Sequence, residues 1–254
     1  MDLPDFAGRL DDELDVGMWA SADYAVNGLQ VGPETAEVEH AAFAVDGVVA
    51  TFEDAADAGA DVLVVHHGIS WGGIDRITGK EFDRVRTLLD NDLALYAVHG
   101  PLDAHPEYGN AAQLCEFLDL SVEEPFGRDG PGHVGQRGRT DDPYTPTELR
   151  EKLAELENGG EPVQHLDFGP DEISDVAVLT GSGVDWLDEA REKGVDALVT
   201  GEGKQPAYHE AREAGIHVFL AGHYATETFG VRALQDLVEE WGLETTYLSH
   251  PTGL

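Results

Sequence analysis

Five residues near the ends of short apolar runs are of the types that bind divalent metal ions: His66, His67, Asp103, His223 and Glu227. His66-His67-Gly68 follows the run Val62–Val65, Asp103 closes the segment His99-Gly100-Pro101-Leu102-Asp103 after Leu93–Val98, and His223 and Glu227 follow His217–Leu220. Adjacent residues on a regular strand face opposite sides, so two neighbouring imidazoles serve one site only where the chain turns, and Gly68 offers that turn. Alone, the doublet reads as well as two polar side chains at a strand end. With its companions it offers three imidazoles and two carboxylates, a set suited to zinc, iron, manganese or nickel rather than to calcium or a thiolate zinc. Five protein ligands are too many for one tetrahedral ion that keeps an open position, and carboxylates can bridge. Two divalent metal ions are the economical reading.

Other residues carry weaker signals. Glu202, in Thr200-Gly201-Glu202-Gly203, could orient a ligand imidazole or accept a proton, or be one more solvated acid. His209 further on, and His99 and His105 beside Asp103, are candidates for the same supporting work, or ordinary hydrogen-bonded histidines. Trp71 could wall a cavity and stack a flat substrate, or lie in a core. Gly181-Ser182-Gly183 could cradle a phosphate or simply turn the chain. The single cysteine, Cys115, lies among Ala111, Ala112, Leu114 and Leu118 at helical spacing and reads as a core thiol.

The elements that must position these residues are short β-branched strands alternating with helices, the pattern of an α/β protein with largely parallel, buried strands. Strands are expected at Ala41–Val45, Val62–Val65, Leu93–Val98, Val176–Leu179, Ala197–Thr200 and His217–Leu220. Helices are expected at Phe52–Ala58 and Trp186–Lys193, stopped by Gly59 and Gly194. Thr145-Pro146-Thr147-Glu148 is a capping box opening a helix to about Leu156. The stretches 123–132 and 158–161, rich in Gly, Pro and acids, read as connections. A shift of 135 residues lays Ala44–Gly68 on the stretch Leu179–Gly203, with Phe52 on Leu187, Ala55 on Ala190, Gly59 on Gly194 and Asp61 on Asp196. A shift of 124 then lays His99 on His223 and Asp103 on Glu227. Two copies of one strand–helix–strand–helix–strand unit follow, the first domain at 1–125 and the second at 126–254, with the metal site at the carboxyl ends of the strands.

Composition limits the partners. The 254 residues carry 51 Asp and Glu against 15 Lys and Arg, a net charge of −36, which repels nucleic acid and acidic membrane surfaces. Such an acid excess, with only 4 Lys, suits a protein kept soluble in concentrated salt, where self-repulsion is screened. One cysteine excludes an internal disulfide and any Cys-based metal site. The N-terminal MDLPDFAGRLDDELDV has neither a basic nor an apolar signal region, and no run approaches 18 apolar residues, so the reading is a cytoplasmic protein of a halophile.

Asn27-Gly28-Leu29-Gln30-Val31-Gly32, Val65-His66-His67-Gly68 with Trp71, Pro101-Leu102-Asp103-Ala104-His105-Pro106 with Gly109-Asn110, Thr200-Gly201-Glu202 and Ala221-Gly222-His223-Tyr224-Ala225-Thr226-Glu227 together resemble the Nif-three-like dinuclear metal-centre family, also called GTP cyclohydrolase I type 2 homologues. The resemblance runs nearly end to end. It implies two interlinked α/β domains, a hexameric toroid with its metal sites facing inward, and two metal ions on His66, His67, Asp103, His223 and Glu227. The segment Glu202-Gly203-Lys204-Gln205-Pro206 before Tyr208-His209 departs from any fixed family pattern, so catalytic roles for Glu202 and His209 rest on position alone. Two functions follow: a metal-dependent hydrolase acting on a small molecule such as a nucleotide or phosphoester, or a metal-trafficking or metal-dependent binding protein without turnover.

Overall fold

A run such as Ala41–Val45 has no polar face to turn toward water, so as a strand it must be covered on both sides. The computed structural model, which describes all 254 residues, covers it with helices and neighbouring strands. The chain opens with α1 (Leu3–Glu13), α2 (Val16–Trp19) and β1 (Gly28–Val31). The first copy of the repeat follows as β2 (His40–Asp46), α3 (Val49–Asp57), β3 (Val62–His67), α4 (Lys80–Asp90) and β4 (Ala94–Ala97). Between the copies lie α5 (Gly100–Asp103), α6 (Asn110–Phe117), β5 (Ser121–Asp129), β6 (Gly132–Tyr144), α7 (Pro146–Leu153) and β7 (Gln164–Leu166). The second copy is β8 (Ile173–Val178), a 3-10 turn at Gly183–Trp186, α8 (Leu187–Lys193), β9 (Ala197–Thr200), α9 (Ala207–Ala214) and β10 (His217–Leu220). The chain ends in α10 (His223–Thr226), α11 (Thr228–Glu240) and β11 (Glu244–Tyr247).

The result is an α/β protein with two sheets in two compact units. The first unit, Met1–Leu102 with Gly230–His250, holds the order β1-β4-β3-β2-β11. The second, Asp103–Phe229 with Pro251–Leu254, holds β5-β6-β8-β9-β10-β7. Compactness therefore divides the chain at Leu102 and Phe229, whereas the repeat put the division after residue 125. The reason is β11, which pairs parallel with β2, Glu244 opposite His40, and so carries the stretch from Gly230 back into the first unit.

The two copies match in their hydrogen bonds as well as in element order. Asp61 Oδ2 accepts the amides of Glu39 (2.8 Å) and His40 (3.0 Å) at the start of β2. Its counterpart Asp196 Oδ2 accepts those of Ser174 (2.9 Å) and Asp175 (3.0 Å) at the start of β8. Gly59 and Gly194 both stop their helices in the left-handed region, at φ +77° and +68°, where a side chain would be strained. Phe52, Leu63, Leu88 and Leu95 centre the first core; Leu114, Leu149, Val199 and Phe219 centre the second. Cys115 belongs to the second core, and burial pushes its thiol up to about 12, which fits the reading as an inert apolar group. The capping box forms, Glu148 N donating to Thr145 Oγ1 and Thr145 N to Glu148 Oε2, and its helix ends at Leu153, one turn short of Leu156.

One expectation fails. The stretch 123–132 is no mere connection: Glu123–Asp129 belongs to β5, which pairs with β6 in an antiparallel hairpin. β5 is the sheet's edge strand and shows mostly exposed side chains, so it tolerates Pro125 and carries little apolar signal.

Candidate metal centre

In the first unit, three imidazoles are oriented through the same ring atom. His66, wholly buried at the end of β3, has its Nδ1 2.9 Å from the Val98 carbonyl oxygen. His67 Nδ1 lies 2.9 Å from Asp46 Oδ1, and His99 Nδ1 lies 3.2 and 3.3 Å from the carboxylate oxygens of Asp23. A carbonyl or carboxylate oxygen can only accept, so each Nδ1 carries the proton and the coordinating lone pair belongs to Nε2. The rings stand 4.7 Å (His66 to His67), 5.0 Å (His66 to His99) and 5.8 Å (His67 to His99) apart. The three residues present ligand atoms within 4.8 Å of one another, so His99 stands with the doublet and not behind it.

The loop around them is held by residues for which the sequence suggested no role. Gln30 Oε1 accepts the Ile69 amide at 2.8 Å, and Asn27 Oδ1 accepts the His99 amide at 2.7 Å. Gly68 is required: a Cβ there would stand 2.5 Å from the Gln30 amide and 2.6 Å from Ala97 Cβ. Asp23 gathers the amides of Ala25 and Gly100 and the Asn27 side chain, at 2.9, 2.8 and 2.9 Å. Burial pushes its carboxyl up, but the bonds from His99, Asn27 and Ala25 outweigh it and hold Asp23 well below the usual carboxylate range. Trp71, partly exposed, has its ring 6.0 Å from His67 and edge-on to His99 at 5.2 Å, so it flanks the imidazoles and lies outside the core.

In the second unit His223 is set between two carboxylates, Nδ1 3.3 Å from Glu202 Oε1 and Nε2 3.2 Å from Glu227 Oε2. Burial alone would lower its pKa; Glu227 and Glu202 outweigh that and raise it to about 9. Two carboxylates around one imidazole, Glu227 itself only 4 % exposed, form a pocket for positive charge, and that donor chemistry fits a divalent ion. Glu202 also accepts the Ser182 hydroxyl, which leads the causes that lower its pKa. Asp103 Oδ1 accepts from buried Asn110 at 2.9 Å.

Gly181 makes room for this arrangement. Its φ is +59°, and a Cβ would lie 2.4 Å from Glu227 Oε1 and 3.3 Å from His223 Nε2. The amides of Gly181 and Gly183 are taken by Thr226 and Thr200 hydroxyls, at 3.2 and 2.8 Å, so this loop turns the chain and is no phosphate cradle. His209 is exposed on α9 against the edge of Tyr208, with no hydrogen bond or ion pair to Glu202, His223 or Glu227. His105 Nδ1 accepts the amides of Glu107 and Tyr108 and so braces its own turn. Beside Glu202 opens a cavity of about 450 Å³, lined among others by Asn158, Gln164, Lys204, Tyr208 and Leu220. Lys204 is engaged with Asp185.

Two βαβαβ copies with imidazoles and carboxylates near their strand ends make this an α/β protein with His and Glu groups that could hold a metal ion. A family model described as Duf34/NIF3 (NGG1p interacting factor 3) matches residues 1–252. Similar proteins include the GTP cyclohydrolase 1 type 2 homolog of Halobacterium salinarum, 56 % identical over 255 residues and the whole of both chains, and that of Pyrococcus horikoshii, 42 % identical over the whole of both. The solved structure of TTHA1606 from Thermus thermophilus overlays with a TM-score of 0.90 at 35 % identity, again covering both chains fully. The chain belongs to the DUF34/NIF3 family. No helix is long and apolar enough to cross a membrane.

Proposed function

We propose that this chain is a dinuclear metal protein that hydrolyses a small molecule. The observation that carries the reading is the common orientation of the imidazoles: Val98, Asp46 and Asp23 each hold an Nδ1, which is how proteins prepare histidine to coordinate through Nε2. His66, His67, Asp103, His223 and Glu227 would hold two divalent ions, zinc, iron, manganese or nickel. When bound, such ions supply Lewis acidity that brings the pKa of water toward 7 and polarises an electrophile. This chain's own residues do the rest. Asp46 fixes the His67 ring, Glu202 fixes His223 and stands at the cavity wall as a proton acceptor, and Tyr208 offers a ring face to a flat substrate. Asn158, 8 % exposed, also lines that cavity. His209 enters only as an exposed proton carrier, and His209→Gln should change turnover less than any ligand substitution.

The relatives' name directs the first assays to nucleotides. Against a triphosphate stand the charge of −36 and the pairing of Lys204 with Asp185, so uncharged or singly charged ring substrates belong in the same panel. Metal-loaded protein should turn over a member of that panel, and Asp103→Ala should abolish it. A second reading, metal trafficking without turnover, is favoured by the partial exposure of His67, His99 and His223; a labile second ion with an inactive panel would establish it over hydrolysis.

The proposal extends to a homo-hexamer in the cytoplasm of a halophile, without nucleic-acid partners. Like charges repel over a Debye length of about 30 Å at 0.01 M salt and about 3 Å at 1 M, so the ring should assemble in molar salt and loosen in dilute buffer. Light scattering across a salt series checks it, and a monomer at molar salt would rule out the ring.

A further inference from the structure

At the other end of β10 from His223 stands a second group of metal-binding residues, separated by about 10 Å of strand. β7 runs antiparallel to β10 with His165 opposite Phe219 and Leu166 opposite Val218, so the next residues, Asp167 and His217, also fall opposite one another. Side chains alternate along a strand with a period of two, which puts His165, Asp167 and His217 on one face of the sheet edge. Their donor atoms converge. His165 Nε2 is 3.1 Å from His217 Nδ1, and His217 Nδ1 is 3.3 Å from Asp167 Oδ1. All three atoms lie within 4.8 Å of one another.

The rings are held for this purpose. His217 is 1 % exposed, and its Nε2 lies 2.8 Å from the Pro170 carbonyl, which can only accept; the proton is therefore on Nε2 and the lone pair on Nδ1, facing the other two donors. The loop closes tightly over this ring, since a Cβ on Gly169 would come within 2.5 Å of His217 Cδ2. His165 is stacked flat on Phe219, ring centres 4.2 Å apart at 6°. An imidazole lone pair and a carboxylate oxygen at 3.3 Å repel unless a positive charge lies between them. The Gly169 amide donates to Nδ1 at 3.3 Å, a long bond that an ion on Nδ1 would replace. Asp167, 74 % exposed, leaves the approach open to solvent.

We propose that His165 Nε2, His217 Nδ1 and Asp167 Oδ1 form a separate mononuclear site for a borderline divalent transition ion such as zinc, with water completing the coordination. It does not depend on the dinuclear reading. The test is zinc stoichiometry by equilibrium dialysis with elemental analysis on the full chain, with cobalt as the spectroscopic probe. The native chain should bind one zinc more than His165→Gln, and Asp167→Asn should weaken that ion by at least the roughly tenfold that loss of even an outer partner costs. His67→Ala should leave this ion in place while depleting the ions of the other centre. Both His165→Gln and Asp167→Asn alter residues that are not fully buried, and far-UV circular dichroism should match the native chain. Equal zinc content in the native chain and His165→Gln, or loss of the extra ion in His67→Ala, would overturn the site and leave an ordinary N–H···N bond between the two histidines.

Discussion

The strand ends of the two repeat copies share a backbone plan and differ in chemistry. In the first, β3 ends in His66 and His67, and the neighbouring strand β2 supplies the carboxylate of Asp46 to orient His67. In the second, β9 leads to Gly201 and Glu202, with Glu202 where His67 stands in the first copy, and the partner from the preceding loop is the hydroxyl of Ser182. The first copy thus offers imidazoles braced by acids. The second offers an acid braced by a hydroxyl, with glycines at 181, 201 and 203 that leave space for Glu227 and for the cavity beside Glu202. The two copies thus share a scaffold and differ in the side chains that follow their strands.

That division can be broken or sharpened by experiment. The largest effect should come from the scaffold positions that the copies share. Phe52→Ala and Leu187→Ala remove matched buried side chains, and chemical denaturation should show losses of about 3–5 kcal/mol for the first and about 2–5 kcal/mol for the second. A near-zero value in either copy would mean that its helix is not anchored as the match implies. Next come the paired aspartates: Asp61→Ala and Asp196→Ala each strand two backbone amides, at about 1–3 kcal/mol, and the two losses should agree closely. Unequal losses would show that only one copy relies on the shared turn.

A smaller, pH-dependent effect belongs to Asp23 in the first unit. Asp23 has its folded pKa depressed, so its contribution is present above the unfolded carboxylate value of about 3.9 and is lost as pH falls through the folded value. The stability gap between the native chain and Asp23→Asn should therefore be full at neutral pH and close below about pH 4. A gap that persists in strong acid would assign the loss to packing. The smallest effect should be that of metal removal on secondary structure. Both cores are large enough to fold without ions, so chelation in high salt should leave far-UV circular dichroism nearly unchanged. Unfolding would make the ions structural in either copy.

Much of this was legible in the sequence because buried parallel strands are continuous apolar runs. Ala197–Thr200 and His217–Leu220 form at the expected residues, and Gly59 and Gly194 stop their helices as read. The β5–β6 hairpin was not legible, since an edge strand with Pro125 and exposed acids has the composition of a loop. The chemically typed residues His66, His67, His223 and Glu227 could be picked out by strand-end position. Their supports could not: Asp23 reaches His99 across 76 residues and Gln30 reaches Ile69 across 39, and nothing local marks such side chains. Asp46 could have been found by the rule that found the doublet, because it ends the strand beside β3. The His165–Asp167–His217 group was hidden by the shortness of β7, three residues whose partner strand lies some fifty residues on.

The pairing of β11 with β2 has a consequence for synthesis on the ribosome. His40 emerges early and Glu244 among the last residues, so the edge of β2 that β11 will occupy stays open while some two hundred residues are added. The second unit is all but continuous in the chain and is made in full, except for its last four residues, during that wait. Its sheet can consolidate first, while the N-terminal sheet waits with a backbone edge exposed to other nascent chains. For this interval the net negative charge sets two such edges against each other in dilute buffer, whereas molar salt, which screens carboxylates beyond about 3 Å, removes that protection.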